Sequence, residues 1–317
     1  YWLAENTNLS EMHQPFLQFL NNLSTTGKIT AKTFYNMPGW VSHHNSDIWA
    51  MSNPVGNFGE GDPSWANWPM GGTWASAHLW EHYLFTQDAQ FLKQKAYPIM
   101  RGAAEFCLAW LIKDSAGKLI TSPSTSPENP PKGPGYKYFF DEVTASYYFT
   151  TICYGSAMDM QILTDLFGYY SKASNILGVD QEFAAKVTKA RARLVPPQIG
   201  SNGSLQEWAD DLEQMEDKHR HFSHLYGLYP GNVISAKRTP ELVVPVKKVL
   251  EQRGDGGTGF SRAWKMSLWA RLNDGNRAND IFKGYIKDQC YPSLFAKCFT
   301  PLQVDGSFGV TAGISEM

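Results

Sequence analysis

Apolar side chains along this chain recur with the spacing of α-helices, and no stretch shows sustained alternation with a period of two. The clearest stripe begins at Asp88 and carries apolar residues along one helical face as far as Ile112. Helices are therefore predicted over most of the chain. The predicted ranges are 10–23, a short helix after Gly27, 72–85, 88–112, 144–177, 180–194, 240–251, 261–272, 276–286 and a last helix that begins near 307.

Long connections rich in Gly, Pro, Asn and Ser separate these helices, at 38–72, 121–142, 196–223 and 254–259. Loops of this length in a compact domain are usually functional. Helices that alternate with long polar loops favour an all-α toroid, in which paired helices form a double ring and the loops at one end build the active site. A linear helical solenoid is the alternative, but no repeat of fixed length is visible. No linker divides the chain, so a single domain over 1–317 is predicted.

Aromatic residues make up 14% of the chain and include 11 Trp. Several of them lie beside Gly, Asn, His or Asp, among them Trp40, Trp49, Trp68 and Trp74. A core aromatic has apolar neighbours, so these positions favour the wall of a cleft on which the apolar face of a sugar can stack. Burial in the core is the alternative for each of them.

Charge and hydropathy argue against two classes of partner. The net charge is −2, with 28 basic and 30 acidic residues mixed along the chain, which argues against nucleic acid. Apolar runs end well before ~20 residues, so no membrane span is predicted. The cysteines show no CxxC spacing; Cys107 is predicted to be a buried thiol, and pairing of Cys290 with Cys298 stays open.

Glu128 is the first candidate for chemistry. It lies in the loop 121–131, where prolines on both sides of it fix the backbone φ angle at several points. A general acid must stay within hydrogen-bond reach of a leaving oxygen, so a rigid frame suits that role. A Pro-rich surface turn is the alternative.

Asp305 is the second candidate, and it precedes Gly306 and Gly309 at the start of the last predicted helix. An Asp in this position can simply cap the helix N-terminus. Its functional interpretation depends on pairing with Glu128. Two carboxyl groups, one kept protonated and one ionised, are the minimum for glycoside hydrolysis.

Histidines are concentrated in two loops, with His43 and His44 at 41–47 and His221 and His224 at 219–224. The His-x-His spacing in the second loop could indicate metal ligands. No HExxH motif or carboxylate-rich cluster supports a defined coordination set, so neither a metal nor another cofactor is predicted. Hydrogen bonding of neutral imidazoles to sugar hydroxyls is the favoured interpretation, and structural capping is the alternative.

The sequence blocks around these candidates resemble glycoside hydrolase family 95, a family of inverting α-L-fucosidases and α-L-galactosidases. The blocks follow the family's order along essentially the whole chain. They lie at 1–11, 39–47, 68–74, 78–83, 121–129, 158–161, 205–208, 218–231, 257–265 and 305–309.

The resemblance implies an (α/α)6 barrel that removes terminal α-L-fucosyl groups from a glycan with inversion. Glu128 matches the general acid in the family's Ser-Pro-Glu-Asn block, and Asp305 matches the carboxylate that helps to activate the water. Other blocks line the sugar pocket in the family. The residues of this chain that fall in those blocks are His43, His44, Trp74, His221 and His224.

This chain departs from the family pattern in two places. The family's paired asparagines, which orient the water, lie upstream of the block at which this chain starts. Residues 298–301 stand where the family usually has a His-Pro-Pro stretch, so α-L-galactosyl groups are expected as substrates beside α-L-fucosyl groups.

The two ends of the chain, at Tyr1 and Met317, resemble internal positions of a longer protein. We therefore expect a barrel that is incomplete at both ends, without the parent's flanking β domains. Without the family's asparagines, the isolated chain is expected to hydrolyse substrate slowly or not at all. The parent protein is expected to be extracellular or periplasmic.

Two other functions fit a helical toroid. One is a non-catalytic carbohydrate-binding protein, against which the presence of both Glu128 and Asp305 argues. The other is a polysaccharide lyase, which needs Arg or Asn to neutralise a uronate. The loops contain no clear Arg/Lys cluster, and that disfavours the lyase.

Overall fold

The computed structural model describes residues 1–56, 61–143, 145–212 and 218–317, and helices dominate these ranges. A π-helical turn, Leu92–Ala96, lies between the fifth and sixth helices. The α-helices in chain order are α1 (Ser10–Tyr35), α2 (Pro63–Ala66), α3 (Gly71–Ala75), α4 (Ala77–Thr86), α5 (Ala89–Phe91), α6 (Tyr97–Trp110), α7 (Ala157–Leu177), α8 (Gln181–Arg191), α9 (Val243–Arg253), α10 (Gly259–Arg271), α11 (Gly275–Asp288) and α12 (Val304–Glu316).

Two short antiparallel hairpins correct the expectation of a purely helical pattern. Strands β1 (Leu111–Lys113) and β2 (Leu119–Thr121) form the first, and β3 (Lys137–Asp141) and β4 (Ser146–Phe149) form the second. Strands of three to five residues are too short to produce a recognisable period of two. They were therefore invisible in the hydrophobic pattern.

The hairpins also shift two predicted helix boundaries. The helix predicted over 88–112 ends at Trp110, because the next three residues pair as a strand. The helix predicted from 144 begins only at Ala157, where the Ser156 side chain caps it by accepting a hydrogen bond from the Asp159 amide. Residue 144 itself lies outside the described residues. The other predicted helices agree with the observed ones to within a few residues, apart from the three described next.

One helix replaces two that were predicted on either side of Gly27. Helix α1 runs through Gly27 without a break, because the glycine serves close packing there. A Cβ atom at position 27 would lie 2.9 Å from Cε3 of Trp40 and 2.6 Å from the carbonyl oxygen of Val41. Conversely, the single helix predicted over 72–85 is two, because Ser76 separates α3 from α4.

Trp40 is enclosed by glycines of three helices, which we call the glycine socket: Gly27 of α1, Gly72 of α3 and Gly102 of α6. A Cβ atom at position 72 would approach the Trp40 ring to 2.3 Å, and one at position 102 would approach it to 2.8 Å. The indole Nε1 donates a hydrogen bond to the Ile99 carbonyl at 2.8 Å. The socket fixes the start of the loop that carries His43 and His44.

The chain divides into two compact units. The larger unit comprises His13–Pro197 and Glu207–Leu212, and the other comprises Tyr1–Met12, Gln198–Gln206 and Glu213–Met317. The single domain predicted over 1–317 stays a prediction. Within the described residues, no helix is both long and apolar enough to cross a bilayer.

Helix α12 of the second unit packs on α10 through glycines. A Cβ atom at Gly306 would lie 2.7 Å from the Ala296 side chain and 2.9 Å from the backbone of Gly259. A Cβ atom at Gly313 would lie 2.4 Å from the Met266 side chain. Because glycines form this face, the backbones of the two helices approach closely, and the position of Asp305 in the first turn of α12 is fixed by that packing.

Candidate active site

The loop from Thr121 to Asn129 is built from buried polar residues, which is unusual for a connection. Thr121, Ser124, Ser126 and Asn129 are each at most 2% exposed. Buried polar groups need hydrogen-bond partners, so this loop must find acceptors and donors inside the protein. Two buried carboxylates, Asp159 and Glu207, supply acceptors for its hydroxyl and amide donors.

Asp159 lies in the first turn of α7 and is fully buried. Its Oδ2 accepts hydrogen bonds from the hydroxyls of Thr121, at 2.7 Å, and Ser124. Its Oδ1 accepts from Nε1 of Trp68 at 2.9 Å. Burial raises the pKa of Asp159, while these donors oppose that rise by stabilising the ionised form. The carboxylate therefore ties the first half of the loop to Trp68.

Glu207 holds the second half of the loop. It is 5% exposed, and its Oε1 accepts a hydrogen bond from the Ser126 hydroxyl at 2.7 Å. Its Oε2 accepts from Nδ2 of Asn129 at 3.2 Å. Its backbone carbonyl accepts from the amide of Ala157, the first residue of α7. Both carboxylates thus connect the loop with the start of the same helix.

Glu128 is partly buried and lies between Ser126 and Asn129, the two residues that Glu207 holds. Its Oε1 lies 3.6 Å from Nε2 of His44, a distance too long for a direct hydrogen bond. The side chains of Glu128 and His44 are 24% and 23% exposed, so solvent or a ligand can reach both. The structure therefore presents a fixed carboxyl group and an imidazole side by side at the surface of the larger unit.

His44 belongs to a row of three aromatic rings in mutual contact. The His44 and Trp68 rings meet edge to face with centroids 6.3 Å apart, and the Trp68 and Trp74 rings do so at 6.1 Å. Trp68 is buried, whereas Trp74 is partly exposed. The predicted sugar-binding residues His44 and Trp74 thus both contact the same buried tryptophan.

His43 points into the protein instead. It is 2% exposed, its Nδ1 donates to the Ser52 carbonyl at 2.7 Å, and its Nε2 is 2.6 Å from the Tyr35 hydroxyl. Because a carbonyl can only accept, the neutral ring carries its proton on Nδ1 and accepts from Tyr35 through Nε2. Burial lowers the pKa of His43 to about 4. Direct contact of His43 with sugar stays a prediction, and these two bonds do not favour it.

Asp305 is the second residue of α12, and Gln303 occupies the N-cap position that was the structural alternative for Asp305. Its Oδ1 accepts a hydrogen bond from the Gly306 amide at 2.6 Å, and its side chain is partly exposed. Burial raises the pKa of Asp305, and the Gly306 amide and the nearby His221 partly offset that rise. A carboxylate at a helix N-terminus is also favoured by the helix dipole.

The second histidine loop belongs to the same unit as Asp305. The partly exposed His221 acts electrostatically on Asp305, and its backbone carbonyl accepts from the Arg253 guanidinium at 3.0 Å. His224 is buried, and that burial together with Arg253 keeps its pKa well below the usual value. Contact of the His224 imidazole with sugar hydroxyls stays a prediction. The absence of a metal stays a prediction.

Three residues of the site were not among the predicted functional residues: Asp159, Glu207 and Trp68. Each lies in a sequence block that carries the family resemblance. The type of Asp159 gave no further signal, because an Asp near a helix start is ordinarily a cap. Cys107 is the buried thiol that the sequence predicted, and burial raises its pKa to about 12. No disulfide joins Cys290 to Cys298.

Comparison with known proteins extends these observations. The model of the glycosyl hydrolase family 95 catalytic domain matches residues 1–317. The chain is 39% identical over its whole length to "Alpha-L-fucosidase 2" of Arabidopsis thaliana and 29% identical to "Probable alpha-fucosidase A" of Aspergillus niger. It spans 37% and 39% of the lengths of these two relatives.

A solved structure described as "Putative kojibiose phosphorylase from human microbiome" is similar in fold. The TM-score is 0.56 at 11% sequence identity, with 94% of this chain and 42% of that chain covered. That structure has the six-hairpin toroid fold of glycosidases, so the predicted (α/α)6 fold class is confirmed. Fold and matched sequence together define a helical toroid of the glycosyl hydrolase catalytic-domain type. The chain belongs to glycoside hydrolase family 95.

Proposed function

We propose that this chain is the catalytic part of an inverting glycoside hydrolase that removes terminal α-L-fucosyl or α-L-galactosyl groups from glycans. The relatives' names support the fucosyl substrate. The observation that carries the proposal is Glu128, which is partly exposed next to His44 on a loop whose other residues bind two buried carboxylates. A surface turn has no need of such anchoring, whereas a general acid has.

In the proposed reaction, Glu128 donates its proton to the glycosidic oxygen as the bond between that oxygen and the anomeric carbon breaks. A water molecule attacks the anomeric carbon from the opposite face, and Asp305 accepts the proton that this water loses. The products are the free sugar with inverted anomeric configuration and the shortened glycan. The raised pKa of Asp305 suits a base, because a more basic carboxylate accepts a proton more readily.

The partly exposed members of the predicted pocket are the proposed sugar contacts: His44, Trp74 and His221. Trp74 offers a ring face for the apolar side of the sugar, and the imidazoles offer hydrogen bonds to hydroxyls. The buried His43 and His224 would act from behind these residues. Residues 1–317 are proposed to form one catalytic domain, which the full-length family match supports.

The segment that departs from the family pattern is the basis for including α-L-galactosyl groups. Its Phe299 is 71% exposed and lies against the Arg220 guanidinium, 5.9 Å from ring centroid to Cζ. L-Fucose lacks the 6-hydroxyl of L-galactose, and a pocket separates such pairs only by a few contacts. A bulky aromatic residue in this segment is therefore expected to affect the preference between α-L-fucosyl and α-L-galactosyl groups.

The test is an assay of the full-length gene product that contains residues 1–317. It is offered p-nitrophenyl α-L-fucoside, p-nitrophenyl α-L-galactoside and 2′-fucosyllactose side by side, and the first anomer released is followed by proton NMR. We expect turnover with the β-anomer appearing first. Release of the α-anomer first would refute inversion, and sugar binding without turnover would identify a non-catalytic carbohydrate-binding protein.

A further inference from the structure

We propose that Asp159 is a positioning residue that sets the place of the Glu128 carboxyl group by joining the acid loop to the aromatic wall. By acid loop we mean residues 121–129, and by aromatic wall the rings of His44, Trp68 and Trp74. The inference rests on the proposed function, because it takes Glu128 to be the acid. Asp159 itself is fully buried and does not contact the substrate.

The two oxygens of Asp159 serve different partners. Oδ2 takes hydroxyl groups of the acid loop, from Thr121 and Ser124, and Oδ1 takes the indole N–H of Trp68. The distance between the acid loop and Trp68 is thus set by the width of one carboxylate. A carboxylate with three side-chain donors in a buried site is held in one orientation, since leaving any donor unpaired there is costly.

These contacts form a closed ring through Glu128. Asp159 binds Trp68, the Trp68 ring packs edge-on against His44, and His44 lies 3.6 Å from Glu128. From Glu128 the backbone leads back through Ser124 to Asp159. Because the ring is closed, a displacement at Asp159 moves both neighbours of the Glu128 carboxyl group: its own loop and the imidazole next to it.

The competing interpretation is that Asp159 only stabilises the fold. Its place in the first turn of α7 and its burial both suit that simpler role. The two interpretations differ in one respect. A fold-stabilising residue lowers the fraction of active protein for every substrate alike, whereas a positioning residue for the acid affects most strongly those substrates whose leaving group needs a proton.

Asp159→Asn is the informative substitution, because it keeps the side-chain volume and one acceptor. The amide oxygen can still accept from Trp68, but the amide nitrogen can only donate, so the hydroxyls of Thr121 and Ser124 must turn round. The loop should remain in place with a small shift. A shift of about 1 Å at an acid costs about 10²-fold in rate.

The experiment compares 2′-fucosyllactose, a poor leaving group, with p-nitrophenyl α-L-fucoside in the full-length gene product. We expect Asp159→Asn to lower kcat/KM about 10²-fold on the disaccharide and less than about tenfold on the aryl glycoside. In a Glu128→Gln background, Asp159→Asn should lower the rate on the disaccharide no further. The matched control is Asp165→Asn, a buried acid of the same helix that hydrogen-bonds Tyr169 outside the acid loop; any loss there should be equal for both substrates.

Trp68→Phe keeps Asp159 and an aromatic side chain at position 68, but it removes the indole N–H that donates to Asp159. It serves as the second variant if Asp159→Asn does not fold. It should show the same dependence on the leaving group, with a smaller loss. Equal losses on both substrates, or losses that add to that of Glu128→Gln, would overturn the proposal for Asp159 while leaving Glu128 as the acid. If Glu128→Gln itself shows no dependence on the leaving group, the proposed function fails, and the role of Asp159 fails with it.

Discussion

The two proposed catalytic carboxyl groups are held in different ways within their own units. The acid loop that carries Glu128 is fixed by side chains whose partners are distant in sequence: Asp159 is 35 residues from Ser124, and Glu207 is 81 residues from Ser126. Polar contacts that join distant parts of the chain form only when the tertiary structure has formed. The position of Glu128 therefore depends on the whole larger unit.

Asp305 is held mainly by neighbours in sequence. The Gln303 amide donates to the Ala296 carbonyl at 3.1 Å, and the Ala296 amide donates to the Ser307 hydroxyl at 3.0 Å. The segment just before it is exposed, with Leu302 at 52%. The contacts of this region with a distant element are mainly those of the α12 glycines, Gly306 among them, with α10. The comparison shows that the acid position is set by buried polar contacts and the base position by backbone turns and one helix contact.

The largest expected effect is on catalysis, and it separates the two roles. Glu128→Gln should lower the rate on 2′-fucosyllactose by about 10²–10⁴-fold and affect p-nitrophenyl α-L-fucoside much less. Asp305→Asn should lower both rates by similar factors, because both substrates need the water. Steady-state kinetics of the full-length gene product checks this, and unchanged hydrolysis of the disaccharide by Glu128→Gln would remove Glu128 as the acid.

The contributions of His43 and Asp305 to the free energy of unfolding should change in opposite directions as the pH falls. His43 is buried with its pKa lowered from 6.5 to about 4, so the folded state resists the proton that the unfolded state binds. Its stabilisation is complete above pH 6.5 and is lost as the pH falls towards 4, a loss on the order of 3 kcal/mol. The pKa of Asp305 is raised, so its ionised form destabilises the folded state. That destabilisation disappears as the pH falls through the folded-state pKa and Asp305 becomes protonated.

Denaturant unfolding between pH 7 and pH 4 measures these contributions. We expect His43→Asn to flatten the loss of stability on acidification, and Asp305→Asn to steepen it slightly. If the pH dependence of His43→Asn matches that of the unsubstituted protein, the buried neutral imidazole is not the group responsible.

Gly306→Ala tests the glycine packing that connects the Asp305 region with α10. The added methyl would lie 2.7 Å from the Ala296 side chain and 2.9 Å from the Gly259 backbone, which cannot give way easily. Overpacking of this kind costs about 1–3 kcal/mol. Gly275→Ala is the control, because no atom lies within 4 Å of its added methyl. Equal unfolding free energies for the two variants would contradict the close approach of α12 to α10.

The smallest expected effect concerns Glu207→Gln in the acid loop. Gln can still accept from Ser126, but its amide nitrogen faces the donor Nδ2 of Asn129. The lost bond should cost about 1 kcal/mol of unfolding free energy. Glu207→Ala, which leaves both partners buried without their acceptor, should cost about 2–3 kcal/mol. If the two variants are equally stable, the loop does not depend on this carboxylate.

The sequence predicted the helices well and their interruptions poorly. The stripe from Asp88 and the helices from Asp180 onward agree with the structure because local apolar spacing governs both. Gly27 was wrongly predicted to interrupt a helix. A glycine is needed there because the Trp40 ring packs against it, and that contact is not visible in the local sequence. The two hairpins were not predicted, because their strands are too short to show a recognisable alternation of apolar and polar residues.

For the site, residue type and family resemblance indicated Glu128 and His44, which the structure brings to within 3.6 Å of each other. The anchoring role of Asp159 could not be predicted, because its three partners lie in two segments that are distant from it in sequence. The inward orientation of His43 likewise follows from contacts with Tyr35 and Ser52 that no local pattern reveals.

The glycine socket around Trp40 has a consequence for how this sequence can vary. Three helices are spaced by the thickness of one indole ring, so none of their glycines can enlarge while position 40 keeps its tryptophan. A laboratory library that changes Gly27, Gly72 or Gly102 singly should find each position immutable. A library that randomises all three together with Trp40 should recover new combinations that fold. The packing constrains the summed volume of the four side chains and not the identity of any one of them.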